Sequence, residues 1–401
     1  MAGSAEQAED QSTVVIVGAG PAGLVLGNLL LAEGIDCLIL ERGTREHVQT
    51  CARAGFLVAN SVRILERNGL ANGLLHKGQT HDVCAFRTGQ GHFELCYGDL
   101  GLREQHTVYP QQFLVTDLVA EFLCRGGDLR FGTTVTEIAD LHTDRPVVTY
   151  RDADGTVHRA SGRFVAGCDG NNGASRQSVA AHAATRHRRD HGIAWLALLI
   201  DAPQSMCAVT YAIHEDGFAG HMARSPSVTR YYLQCPPEDN PETWSDQRVW
   251  DALNRRMRTA EFGPLHEGPI SERRVVHLRS DVIDPIQHGR LFLAGDAASL
   301  ISPSAAKGAN LAIAESDFLA KAMIAAVRKG DEQPLVEYSM TCLPRIWKAQ
   351  EFSHYMIQLL HGPSGDHEDA RFLRELQRAR LENLRGSRTH QDFFAEHYVG
   401  I

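Results

Sequence analysis

The first forty residues pass from one continuous apolar run to another through a helical pattern. Residues 13–18, TVVIVG, form a β-branched run ending in glycine, which predicts a buried strand. Leu24, Leu26, Leu29, Leu30 and Leu31 follow at helical spacing, and Cys37-Leu38-Ile39-Leu40 predicts a second buried strand that closes at Glu41. This is a β-α-β unit, and its parallel strands imply a doubly wound sheet. Near residues 105–126 a polar opening leads into Phe113, Leu114, Leu118, Phe122 and Leu123, an amphipathic helix. Val147–Tyr150 and Thr156–His158 flank Asp154-Gly155, a hairpin signal.

Trp195–Ile200, Ala208–Ile213 and Arg230–Gln234 predict strands of a mixed or antiparallel sheet, and residues 236–246 a Pro- and acid-rich connection. Arg290–Ala294 is a further apolar strand running into Gly295-Asp296, after which helical spacing continues to about residue 360. Phe372, Leu373, Leu376 and Ala379 mark one more amphipathic helix before the end. The pattern predicts an α/β chain with an inserted β-rich portion and a helical C-terminus.

Composition narrows the function classes. A chain of 401 residues leaves room for about two to three domains, and its net charge of −9 gives no basic footprint for nucleic acid or an anionic membrane. No stretch approaches the length of a membrane span. The first twelve residues carry three acids and no apolar run, so neither a signal nor a transit peptide is expected. Nine scattered cysteines without a C-x-x-C pair imply reduced thiols and a cytoplasmic setting. His182, His187 and His191 lie close together, but in an Arg-rich polar segment that is expected to be a solvated loop and not a metal site.

Gly18-Ala19-Gly20-Pro21-Ala22-Gly23 fits G-x-G-x-x-G between a strand and a helix, with Glu41 at the end of the next strand. Glycines let the backbone approach a pyrophosphate, the helix N-terminus offers unpaired N–H groups, and an acid accepts from an adenosine ribose. The motif leaves NAD and FAD open. Residues 165–170, VAGCDG, and 291–297, LFLAGDA, each carry a strand into a glycine and an aspartate, Asp169 and Asp296. Asp296 would bond a ribityl chain or the pyrophosphate region. The helix opening at Ala306-Lys307-Gly308-Ala309-Asn310 would stabilise negative charge, as on a reduced flavin ring.

These segments, with CARAGF, VYPQ, GCDGNNGASRQS, TRYY, QHGRLFLAGDAA, PRIWKAQEFS and the terminal HYVG, resemble the para-hydroxybenzoate hydroxylase family from about Val14 to Gly400. That family comprises single-component, class A FAD-dependent aromatic monooxygenases. The resemblance implies FAD, NADPH or NADH, O2, a para-substituted benzoate, hydroxylation through a flavin hydroperoxide, and a homodimer formed by the helices around Phe372–Leu384. It also implies a discontinuous FAD-binding Rossmann-like domain (1–79, 107–183, 277–310). The remainder would be a substrate-binding β-sheet domain (80–106, 184–276) and a helical C-terminal region (311–401).

Carried over residue by residue, Gly18, Gly20, Gly23, Glu41, Arg42, Arg53, Gln111, Asp169, Asp296, Lys307, Gly308, Ala309 and Asn310 fall to the cofactor, and Arg279 to the pyridine nucleotide. Arg224 matches the arginine that pairs with the substrate carboxylate, and Tyr232 a second contact there. Tyr211, Tyr398 and His81 match a relay carrying the phenol proton outward, and Pro303 the proline whose carbonyl faces the phenol. No metal is implied.

The pocket departs from the family pattern. Met222 stands where the family has a carboxylate-binding serine, Gly220 and Val209 replace leucines, and Ser304 replaces a threonine. These changes imply extra space, and with it a ring-substituted substrate such as an amino-4-hydroxybenzoate of a natural-product pathway as readily as plain 4-hydroxybenzoate. Cys51, His47 and Asn171-Asn172 replace an arginine, a tyrosine and a Phe-His pair, which leaves the choice between NADPH and NADH open. A halogenase is disfavoured because Trp195, Trp244, Trp250 and Trp347 lack W-x-W-x-I-P spacing. A non-catalytic flavin-binding regulator is disfavoured by Arg224, Tyr211, Pro303 and Tyr398 occurring together.

Overall fold

A run such as Val14–Val17, buried along its whole length, suits a strand covered on both faces. In a computed structural model, which describes residues 9–51, 55–181, 184–258, 263–363 and 368–400, that strand lies inside a six-stranded sheet. Leu291–Leu293, Phe164–Gly167, Val14–Val17, Cys37–Glu41 and Asp128–Phe131 run parallel, with Gln287–His288 antiparallel at one edge. The helices Pro21–Ala32, Gln111–Cys124 and Gly308–Lys329 close the core around it. The glycine-rich turn and both glycine–aspartate turns therefore leave the same end of parallel strands.

A mixed eight-stranded sheet forms the second body. Its order is Ser299–Leu300, Ile270–Asp284, Thr185–Ile200, Val228–Cys235, Gly217–Ser225, Val209–His214, Val83–Thr88 and Gly91–Cys96. Helix Asp246–Met257, capped by Ser245, covers one face with Trp250, Leu253 and Met257 against Leu196, Leu198 and Tyr231. The other face carries Trp195, Tyr211 and Tyr232, against which the C-terminal helices pack. The predicted hairpin lies in a four-stranded sheet, where Val147–Arg151 pairs with Val157–Ser161 across Gly155. All nine cysteines are free thiols, and among the described residues no helix is long and apolar enough to cross a membrane.

Three expectations differ from the structure. The Arg-rich segment is a strand: Thr185 to Asp190 pairs residue by residue with Asp284 to Arg279. Its backbone bonds come from a partner about ninety residues away, a pairing that polar side chains on both faces do not announce. His191 bonds Ser280 Oγ at 3.1 Å and His187 packs on Trp347, while His182 lies outside the described residues. No group of three metal-ligating side chains occurs among the described residues. Secondly, the expected domain boundary at 276/277 falls inside the continuous strand Ile270–Asp284, and that at 79/80 inside the strand Gln79–His81. Thirdly, another helix, Arg388–Val399, follows Glu368–Gly386 and carries Tyr398.

Candidate active site

The dinucleotide end is built from backbone. Gly18 has φ +103°, and a Cβ there would lie 2.4 Å from the Cys168 carbonyl. A Cβ on Gly23 would lie 2.0 Å from the Gly18 oxygen, so helix and strand meet there without side chains. At Gly20 a Cβ would meet nothing within 4 Å, and helix Pro21–Ala32 begins there without a side-chain cap. Open space before uncapped N–H groups is the arrangement a diphosphate needs. Glu41 accepts from Ala19 N–H at 2.7 Å and Gly43 N–H at 2.6 Å, which fixes its carboxylate beside the turn with lone pairs to spare for a ribose.

Asp169 accepts from Ser175 N–H at 3.0 Å, while its Oδ1 is buried without a partner and burial raises its pKa. The charge of exposed Arg42 reaches it. Asp296 sits in the turn Gly295–Ala297, whose Gly295 N–H donates to the buried Glu315 at 2.6 Å. Gln111 opens helix Gln111–Cys124. The open glycine cradle and the orphaned Asp169 oxygen fit FAD. Arg53 lies outside the described residues.

Two expected cofactor side chains are engaged elsewhere. Lys307 is buried, with Nζ donating to the Tyr398 carbonyl at 2.9 Å and the Gly400 carbonyl at 2.5 Å; burial lowers its pKa to about 7. Asn310 bridges to Phe56 and Val58, accepting from Val58 N–H at 3.0 Å and donating to the Phe56 carbonyl at 3.0 Å. A buried ammonium and a buried amide each require partners, and these carbonyls and N–H groups supply them. What remains to face a ring is backbone, the first-turn N–H groups of helix Gly308–Lys329 at Gly308, Ala309 and Asn310.

The substrate end is a cavity between the eight-stranded sheet and the turn at Pro303. Tyr211, Tyr398, Tyr232, Met222, Gly220, Pro303 and Ser304 line it together, joined by Trp195, Phe218 and Phe56, which no motif signalled. The Tyr211 and Tyr398 hydroxyls are 2.7 Å apart, and burial raises both phenol pKa values. Val209 does not line the cavity; its N–H donates to His81 Nε2 at 3.2 Å.

The space expected at Gly220 is taken. A Cβ there would lie 2.9 Å from the Phe218 ring, so that ring fills the position of the absent side chain. The Ser304 hydroxyl is likewise committed, donating to the Ser353 carbonyl at 3.0 Å.

Arg224 lies two residues beyond Met222 on the strand Gly217–Ser225, at a bulge where the pairing with Val228–Cys235 shifts register between Ala223 and Ser225. It is buried, its Nη2 donates to Gln112 Oε1 at 2.6 Å, and its Nε has no partner. Burial and the neighbouring Arg230 lower its pKa to about 10. Arg279 does not line the cavity and pairs with Asp190, its cross-strand neighbour, at 3.0 Å.

The expected step from Tyr398 to His81 is not a hydrogen bond among the described residues. Tyr97 stands between, its ring edge-on to Tyr398 at 5.0 Å. The Tyr97 hydroxyl donates to the His81 carbonyl at 2.6 Å and lies 3.1 Å from both His81 Nδ1 and His106 Nδ1. Since Val209 N–H donates to Nε2, His81 carries its proton on Nδ1 and is neutral, in line with the lowering of its pKa by burial.

A family model of the FAD binding domain matches residues 11–353. The chain is 36% identical over 391 residues to a p-hydroxybenzoate hydroxylase of Acinetobacter baylyi, covering 98% of this chain and 96% of that protein. It is 27% identical over 374 residues to a 3-amino-4-hydroxybenzoate 2-monooxygenase of Streptomyces platensis, covering 89% and 91%. The p-nitrophenol 4-monooxygenase structure from Pseudomonas putida matches with a TM-score of 0.81 at 18% identity, over 98% of this chain and 99% of that one, and shows the shared fold.

Cradle, cavity and matches together define a flavoprotein monooxygenase, an aromatic-ring hydroxylase that uses FAD with NAD(P)H and O2. Within that class, the chain belongs to the p-hydroxybenzoate hydroxylase family.

Proposed function

We propose that the protein hydroxylates a 4-hydroxybenzoate-type acid, with 4-hydroxybenzoate itself the first substrate to test. The observation that carries this reading is a buried arginine with an unpaired Nε on the strand whose Gly220 and Met222 line a cavity that holds the Tyr211–Tyr398 pair. A buried guanidinium without an anion is costly, and a benzoate carboxylate completes it. When bound, FAD reduced by NAD(P)H activates O2 and supplies the oxygen atom that enters the ring.

The residues prepare that ring. Arg224 anchors the carboxylate and Tyr232 flanks it. The para phenol then reaches Tyr211, which remains a neutral phenol: it takes up the substrate's proton and gives its own to Tyr398, whose hydroxyl proton in turn leaves to solvent water past the neighbouring Tyr97, His106 and His81. Loss of the phenol proton makes the ring electron-rich enough to accept an electrophilic oxygen. Pro303 closes the opposite wall, while Trp195 and Phe218 keep water out. Glu41, Asp169, Asp296, Arg42 and Gln111 are proposed to hold the cofactor with the glycine turn. Arg279 is proposed to leave Asp190 for the pyridine nucleotide, NADPH or NADH.

A ring-substituted acid is the second reading. It is favoured by Met222, which offers the carboxylate no hydroxyl and leaves an apolar wall, though the volume expected from Gly220 no longer supports it. The test is product identification by mass spectrometry and NMR with 4-hydroxybenzoate and 3-amino-4-hydroxybenzoate, alongside NAD(P)H consumption. Faster and better-coupled hydroxylation of plain 4-hydroxybenzoate supports the first reading, and the reverse order the second. Neither acid accelerating NAD(P)H oxidation would defeat both.

A homodimer is proposed as well, through the helix Glu368–Gly386, where Phe372 is 65%, Leu373 45% and Leu376 37% exposed. Native mass measurement decides it; a monomer at micromolar concentration would refute it.

A further inference from the structure

Arg224 is held in an unusual way for a buried cation. It is 8% exposed, and the second buried arginine, Arg230, lowers its pKa further. The carboxylate nearby, Glu272, pairs with Arg230 at 3.6 Å. What fixes Arg224 is a neutral acceptor, the amide oxygen of Gln112, at 2.6 Å from Nη2. Gln112 lies in the first turn of helix Gln111–Cys124, on the dinucleotide-binding side of the molecule, whereas Arg224 belongs to the eight-stranded sheet. Their bond ties the two bodies together beside the strand that lines the cavity at Gly220 and Met222.

The choice of a neutral partner matters chemically. An aspartate or glutamate here would neutralise the guanidinium and repel an anionic ligand. An amide oxygen fixes the plane of the fork while leaving its full positive charge, and leaves Nε bare. Met222, two residues away, has no hydrogen to donate, so the aim of Arg224 rests on Gln112 among the described residues.

We infer that Gln112 is a positioning residue for the substrate carboxylate: its Oε1 holds Arg224 Nη2 so that the bare Nε edge meets the acid. The inference rests on the substrate reading above and adds to it the residue that sets the preference for an anionic ring.

The test is ligand binding to the FAD-loaded protein, read from the change in flavin absorbance, with 4-hydroxybenzoate and its methyl ester. Gln112→Met keeps the side-chain volume and removes the acceptor. It is expected to weaken the acid about 10-fold, the effect of losing one hydrogen bond to a charged group, and to leave the ester unchanged. Gln112→Glu is expected to weaken the acid further, because a new carboxylate then occupies Arg224. Wild-type affinity for the acid in Gln112→Met overturns the inference, as does an equal loss for acid and ester, which would mark a merely structural role. Arg224→Ala separates the two levels. If it leaves acid binding intact, the carboxylate is not at Arg224 and the substrate reading itself falls; if it abolishes acid binding while Gln112→Met does not, only the role of Gln112 falls.

Discussion

The dinucleotide end and the substrate cavity are made of different material. The first is backbone: a turn that only glycine can form at Gly18, an open approach at Gly20 and a helix packed flush at Gly23. Its one decisive side chain, Glu41, is itself fixed by two backbone N–H groups. The cavity is side chain against side chain, drawn from the strands Val209–His214, Gly217–Ser225 and Val228–Cys235, the turn at Pro303 and the last helix. Backbone architecture tolerates almost no substitution and binds a shared cofactor. A wall of side chains can be retuned one residue at a time, which is how one fold serves many substrates.

Substitutions that separate the two ends should therefore fail differently. The largest effect is expected from Gly23→Val, whose Cβ would meet the Gly18 oxygen at 2.0 Å. A clash with backbone cannot be relieved by a change of rotamer, so strand and helix must part and the cradle opens. The variant should purify without flavin, and a yellow, wild-type spectrum would show that the close approach is dispensable.

Arg224→Ala should keep the flavin and lose the substrate. Removing one member of a buried charge pair costs about 2–5 kcal/mol of affinity for the carboxylate. Titration of the holoenzyme with 4-hydroxybenzoate reads this directly, and an unchanged Kd would place the acid elsewhere.

The cavity wall also predicts acid sensitivity. Trp195 Nε1 donates to His361 Nε2 at 2.7 Å, so His361 must be neutral there, and burial lowers its pKa to about 4. A depressed folded-state value means stability is complete above the unfolded value near 6.5 and is lost as pH falls toward 4. At about 1.4 kcal/mol per unit this amounts to about 3 kcal/mol by pH 4. Thermal unfolding at pH 7 and pH 5 should show a smaller difference for His361→Gln than for wild type; equal differences would remove His361 from the account.

Tyr211→Phe should leave flavin reduction intact while hydroxylation slows about 100-fold, the lower range for a lost acid–base group, and peroxide appears instead. Full coupling would take Tyr211 out of the phenol path. Smallest is Met222→Ser, which restores a hydroxyl near the carboxylate. It should shift the kcat/KM ratio toward plain 4-hydroxybenzoate by about 10-fold, or about 1.4 kcal/mol.

The same contrast explains what was legible in the sequence. The glycine turn, Glu41 and both glycine–aspartate turns are local signals, because close approach of backbone needs a residue type at a fixed spacing. Gln112 and Arg224 meet across 112 positions, and Tyr211 and Tyr398 across 187, so no local pattern records either contact. Family resemblance pointed to Tyr211 and Tyr398, but Gln112, Tyr97 and His106 had no such guide. Gly220 shows the limit of reasoning by volume: the missing side chain was counted as space, yet Phe218, two residues back on the same face, fills it. The strand Thr185–Asp190 escaped notice because its partner, not its own composition, makes it a strand.

The substrate's phenol is proposed to lose its proton at the Tyr211–Tyr398 pair while Arg224 holds the other end. The ultraviolet spectrum of 4-hydroxybenzoate bound to the holoenzyme, followed as a function of pH, reports this ionisation without turnover. In wild type the bound phenol should ionise at a lower pH than the free acid, and in Tyr211→Phe this shift should disappear while binding persists. A bound phenol that ionises as it does in free solution in wild type, or one whose lowered ionisation survives in Tyr211→Phe, would contradict the account.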